Sequence, residues 1–88
     1  MIPGKLYHIT NGEITMMPET YFKYDRAKLE YSDYEKFVTI TPKSKPSIFI
    51  FMKYIFDEHN IKFLLILYKS KQYVIQNEYH IGNHLTKL

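Results

Sequence analysis

Four histidines, two groups of carboxylates and a scatter of serines are the residues whose types could do chemistry in this chain of 88 residues. His80-Ile81-Gly82-Asn83-His84 sets two imidazoles at the i, i+4 spacing that places zinc ligands on one face of a helix. The glutamate of HExxH is missing, the internal Gly-Asn breaks helices, and no third ligand is evident. His8, His59, His80 and His84 are therefore read as structural or solvated, with no metal site. Asp25, Glu30, Asp33 and Glu35 alternate with Lys and Tyr, the pattern of a solvated face rather than of a carboxylate pair with split pKa values. Ser32, Ser44, Ser47 and Ser70 sit in turn contexts and not in a nucleophile elbow. Three scattered glycines make no phosphate-cradling loop, and without cysteine there is no thiol nucleophile, thiolate metal site or disulfide. The sequence holds no catalytic constellation and calls for no cofactor, so the expectation is a non-enzymatic protein.

Two binding chemistries remain. Lys43 and Lys45 in one KSK triplet, with Lys69 and Lys71 in another, could contact phosphates beside the rings of Tyr68, Tyr73 and Phe49. Eleven Lys stand against one Arg, which removes bidentate recognition, and the net charge of +3 attracts anions only weakly. Lysines at turns also serve solubility and protect sheet edges. The second chemistry is protein recognition. Nine Tyr and six Phe supply contact area at low rotamer cost, a composition suited to interfaces as well as to cores. The surplus of Lys, Ile, Tyr, Phe and Asn fits an AT-rich genome, such as that of a bacteriophage or a low-GC bacterium.

These residues need elements to carry them. Eighty-eight residues make one domain, 1–88, since halves would be too small to sustain a core. MIPGKLYHIT is too polar for a signal peptide, and neither apolar run approaches the roughly 20 residues of a spanning helix. A cytoplasmic protein without membrane association is expected. Short runs flank Asn11-Gly12, a type I′ hairpin signal, and predict strands at 5–10 and 13–17. Tyr24, Ala27, Tyr31, Tyr34 and Val38 recur at helical spacing and predict a helix over about 24–36, with an ordered loop as the alternative. Further strands are read at 36–41, 48–56, 61–69 and 72–76, with a terminal stretch at 84–88. The fold class is mostly β, a small antiparallel sheet or barrel with one short helix or turn segment, with α+β as the alternative.

One order of elements is familiar. Pro3-Gly4-Lys5-Leu6-Tyr7 gives a short strand, followed by an extended region and a meander. Tyr73-Val74-Ile75, the turn in Tyr79-His80-Ile81-Gly82-Asn83 and the last strand Leu85-Thr86-Lys87-Leu88 then follow. This pattern resembles small SH3-like barrels. The acidic loop and paired aromatics of the peptide-binding members are absent, so the resemblance implies architecture and no proline-rich ligand.

If Asp57-Glu58-His59-Asn60 is a four-residue hairpin loop, Phe56 faces Ile61 and Ile48 lies opposite Lys69. One face then carries Ile48, Ile50, Met52, Tyr54 and Phe56 with Ile61, Phe63, Leu65 and Leu67, and is expected to be core. The other carries Phe49, Phe51, Leu64, Ile66 and Tyr68 and needs cover. Either the Tyr-rich segment 21–38 packs over it, or these five residues meet a protein partner or a second copy of the chain. The same pairing gathers Lys43, Lys45, Lys69 and Lys71, with Tyr73, at one pole as the alternative nucleic-acid site.

Overall fold

The two long apolar runs become the two central strands of a single antiparallel sheet. The computed structural model describes residues 1–23, 28–76 and 82–88. Its strands are β1 (Leu6–Ile9), β2 (Ile14–Pro18), β3 (Val38–Ile40), β4 (Ile48–Phe56), β5 (Lys62–Tyr68), β6 (Lys71–Ile75) and β7 (Leu85–Lys87). A 3-10 turn at Glu19–Tyr21 and one helical turn, α1 (Tyr31–Tyr34), stand between β2 and β3. The seven strands run β3-β2-β6-β5-β4-β1-β7 and curl into an open half-barrel. Among the described residues no helix is long and apolar enough to cross a membrane.

β4, β5 and β6 form a meander with two different turns. The first keeps a hydrogen bond from the Asn60 amide to the Asp57 carbonyl at 3.0 Å, with Asn60 at φ 62°. The Asp57 carboxylate accepts from the amides of His59 at 2.8 Å and Ile61 at 2.9 Å, so this side chain closes the loop. The second turn is Lys69-Ser70 alone, both residues left-handed at φ 51° and 65°. Positive φ at both central residues is the type I′ demand, met here without the usual Asn or Gly.

The Asn11-Gly12 hairpin does not form. β1 pairs with β4 and β7, whereas β2 pairs with β3 and β6. Gly12 has φ 66°, but among the described non-glycine residues positive φ occurs only at Asn60, Lys69 and Ser70, so Asn11 does not complete the type I′ pair. The segment instead crosses between the two ends of the sheet. The Thr10 amide donates to the His84 carbonyl at 2.8 Å, and a Cβ on Gly12 would lie 2.6 Å from the His84 ring. The left-handed φ favours glycine there, and a side chain would also have to displace the His84 ring.

The predicted helix over 24–36 shrinks to the single turn Tyr31–Tyr34 in the residues described, with 24–27 lying outside them. Its tyrosines do not make a buried stripe, for Tyr31 is 83% exposed. Glu30 and Asp33 form a reciprocal capping box instead.

A β-bulge in β4 decides which residues of that strand share the inner face. From Phe56 opposite Lys62 to Lys53 opposite Leu65 the β4–β5 register is constant, but Phe51 then faces Ile66. Met52 is the extra residue, and one extra residue exchanges the faces of everything beyond it. Phe49, Phe51 and Tyr54 therefore point the same way as Leu64, Ile66 and Tyr68. They join Tyr7, Ile9, Ile14, Met16, Ile40, Tyr73 and Ile75 in the concave core. Tyr54, near the open end of this core, lies under the Lys62 ammonium at 4.2 Å from the ring centroid.

Candidate interaction surface

The five residues expected to meet a partner are interior. Phe49, Phe51, Leu64, Ile66 and Tyr68 are at most 3% exposed. They are covered by the curl of their own sheet, because Ile9, Ile14, Met16 and Ile40 close over them from the outer strands. From segment 21–38 only Val38, among the described residues, packs on this cluster; Tyr21, Phe22, Leu29 and Phe37 pack on the opposite, convex face. The five share one face, as the hairpin pairing placed them; the bulge at Met52 adds Tyr54 to that face and sends Lys53 and Ile55 to the other.

The lysines fare differently. Lys43, Lys45, Lys69 and Lys71 are all exposed. The Tyr68 hydroxyl donates to the Pro46 carbonyl at 2.6 Å and ties the loop carrying Lys43 and Lys45 to the end of β5, beside the Lys69-Ser70 turn. Burial pushes the Tyr68 hydroxyl pKa above its ordinary value of 10.0, with a smaller push from the charge of Tyr73. The rings expected to stack on bases are not free. Tyr73 is buried in the core, edge-to-face with Tyr68 at 6.4 Å, and Lys69 lies over Tyr68 at 5.5 Å. This pole offers cations without a stacking platform.

Of the histidines, His80 lies outside the described residues. His84 has a buried Nδ1 without a hydrogen-bond partner and packs its ring against Gly12. Among the described residues no group of three His, Cys, Asp or Glu could hold a metal ion.

The convex face separates into two parts. On β2, β5 and β6 it carries Met17, Phe63, Leu65 and Val74, and these form a second apolar cluster with Tyr21. Phe22, Leu29 and Phe37 pack on this cluster from the segment between β2 and β3. Within that segment one side chain ties two turns together. Asp33 Oδ1 accepts from the Tyr21 hydroxyl at 3.1 Å, while its Oδ2 accepts from the Glu30 amide at 2.9 Å. Lys36 lies 5.9 Å from the Tyr21 ring, and its pKa is raised chiefly by a hydrogen bond to Tyr21. Edge-to-face packing of Phe22 on Phe63 at 5.0 Å completes the attachment. Between this segment and the sheet lies a cleft of about 240 Å³, lined by Thr15, Met17, Leu29, Tyr34, Phe37, Phe63, Val74 and Gln76.

On β4, β1 and β7 the convex face carries a further set of apolar residues that is partly open to solvent. Ile50 pairs with both Leu6 and Leu67, which puts the three on one face. The Leu88 amide donates to the Leu6 carbonyl at 3.0 Å, and the β1–β7 register, extended by one residue, sets Leu88 opposite Leu6. The result is an apolar row across adjacent strands, Leu67, Ile50, Leu6 and Leu88. Leu6 is 43% and Leu88 58% exposed, with Ile50 and Leu67 only part-buried. Ile48 and His8, paired with one another, lie in the next row. The face expected to be core at Ile48, Ile50 and Leu67 is thus the outer one. Reading Leu6 and Leu88 as its extension required the β4–β1–β7 order, which no local signal supplies.

In comparisons with family models, with curated proteins and with solved structures, nothing matches this chain.

Proposed function

We propose that this protein is a non-enzymatic binding module that docks a protein partner on the bare half of its convex sheet face. The observation that carries the reading is the row Leu67, Ile50, Leu6 and Leu88, whose covered counterparts on the same face are Leu65 and Val74. Contiguous apolar surface of this kind favours association, because each anchor that leaves water adds roughly 25 cal/mol per Å². The partner is a protein with its own apolar anchors, and a second copy of the chain is one form it can take. The cysteine-free composition suits a reducing cytoplasm, and a phage-encoded modulator of a host factor would have this size and lack of catalytic equipment.

The test is a paired substitution, Leu6→Glu with Leu67→Glu, which charges the row and leaves the concave core intact. Sedimentation velocity of the unaltered protein is expected to show a dimer, or pull-down from the native host to recover a specific protein; the paired variant should lose either. A wild-type monomer whose captured proteins are the same as those of the variant would end this reading.

A second reading has one specific observation behind it, the tying of the Lys43–Lys45 loop to the Lys69–Lys71 turn by Tyr68 and Pro46. It is nucleic-acid binding through Lys43, Lys45, Lys69 and Lys71. With Tyr73 in the core, the contacts would be to phosphates and would not depend on base identity. Affinity should fall steeply with salt and again when the four lysines become Ser. No binding to mixed DNA and RNA oligonucleotides at low salt would sink it.

A further inference from the structure

We infer that the cleft between segment 28–37 and the outer side of β2, β5 and β6 is a binding site for a small, neutral, aromatic molecule of one or two rings. The inference concerns the covered half of the convex face and is independent of the protein-docking row on the other half.

Size comes first. About 240 Å³ exceeds the roughly 150 Å³ of an apolar cavity known to admit benzene, and falls below the roughly 300 Å³ at which drug-sized pockets begin. One or two fused rings fit that interval. The lining then sets the chemistry. Met17, Phe63 and Val74 make the floor from β2, β5 and β6, while Leu29, Tyr34 and Phe37 form the opposite wall. Three of these side chains are aromatic, and Tyr34 and Phe37 already meet at 5.1 Å with their planes tilted by 47°. Rings arranged this way accept a further ring edge-on or offset better than a saturated body of equal volume.

Among the described residues the lining offers a charged ligand no carboxylate, amine or imidazole as counter-ion. The nearby ions are engaged elsewhere: Asp33 holds the Tyr21 hydroxyl and the Glu30 amide, and Lys36 is drawn to Tyr21. A charged ligand would lose its hydration without a counter-ion. Thr15 and Gln76 place a hydroxyl and an amide in the lining, the hydroxyl already bonded to that of Thr39 at 2.9 Å, so the polar share of the cleft is small. Indole and phenols belong to the class described.

Indole is the probe for the test. Titrated into the protein and followed by NMR, it should give saturable shifts of the Met17, Leu29 and Val74 methyl signals, and a rise in Tm that grows with indole concentration. Cyclohexanol and indole-3-acetate should bind at least tenfold more weakly. Val74→Leu, which fills the cleft from the sheet, should weaken indole binding at least tenfold while amide dispersion is retained. If Val74→Leu does not fold, Leu29→Phe fills the same space from the covering segment. Leu6→Glu should leave indole binding unchanged, which separates this site from the docking row. Absence of saturable shifts up to the solubility of indole would overturn the proposal. So would equal affinity for cyclohexanol, or undiminished binding to the filled variant.

Discussion

The convex face of this sheet contains two regions of similar chemistry and opposite fate. On β2, β5 and β6, the side chains of Met17, Phe63, Leu65 and Val74 lie beneath a segment of their own chain. On β4, β1 and β7, Leu6 and Leu88 are exposed and Ile50 is part-buried. The cause of the difference is the route of the chain. The stretch between β2 and β3 must leave one edge of the sheet and return beside it, and it spends that excursion on the nearest outer surface. β1 and β7 lie at the other edge, away from that excursion. Apolar residues on an open sheet do not secure their own cover; a neighbouring connection has to supply it.

The largest effect expected of a substitution tests that contrast directly. Phe63→Ala, in the covered half, should cost about 3–5 kcal/mol in denaturant unfolding, while Leu67→Ala in the bare half should cost less than about 1 kcal/mol. Equal losses would mean that the bare row is supported from within the monomer. Next comes the fastening. Asp33→Ala removes a helix cap and the acceptor for Tyr21, a loss of about 1–2 kcal/mol. Amide exchange should accelerate over 19–23 and 28–37 and stay slow in β4 and β5. Unchanged exchange over 28–37 would show that apolar packing alone holds the segment.

Tyr68→Phe sharpens the comparison by acting on the concave side, without touching either half of the convex one. At neutral pH it should cost about 1 kcal/mol through loss of the bond to Pro46. The folded state raises the pKa of this hydroxyl above 10.0, so it holds a proton that the unfolded chain releases first. The corresponding stability is fully present below pH 10 and is lost as pH rises through the folded value, so the gap between wild type and Tyr68→Phe should narrow in alkaline denaturation curves. Leu88→Ser gives the smallest change, within about 0.5 kcal/mol for the monomer. Its effect should appear instead as weaker association through the bare row.

Much of this molecule could be read from its sequence, and the limits have physical causes. Strand β4 runs over Ile48–Phe56, the apolar run itself, because a β-rich stretch bounded by Pro and Asp specifies its own length. Which of its faces turned inward was not legible. Ile9, Ile14, Met16 and Ile40, from strands distant in sequence, close over Phe49 and Phe51, and a single unpaired Met52 turns Tyr54 to the same side. The exposed apolar row was hidden for another reason: Leu6 and Leu88 become neighbours of Ile50 only through pairings made between distant parts of the chain. The cleft was hidden too, since its walls combine β2, β5 and β6 with a segment whose tyrosines suggested a regular helix. Tyr31 and Tyr34 fitted that period, yet Tyr21, Phe22, Leu29 and Phe37 make the contacts with the sheet cluster.

The separation of β1 from β2 by β6, β5 and β4 also carries a consequence in time. Strands β4, β5 and β6 are joined by short turns and can pair as soon as they meet, since closing a short loop loses little chain entropy. β1 and β2 follow one another in sequence but must find partners at opposite edges of that meander. Such long-range pairings slow folding, and the order expected is meander first, flanking strands afterwards. Until β1 and β2 arrive, Phe49, Phe51 and Ile66 stand open to solvent. The interval in which this protein is most prone to clump is therefore the one before its first two strands have docked.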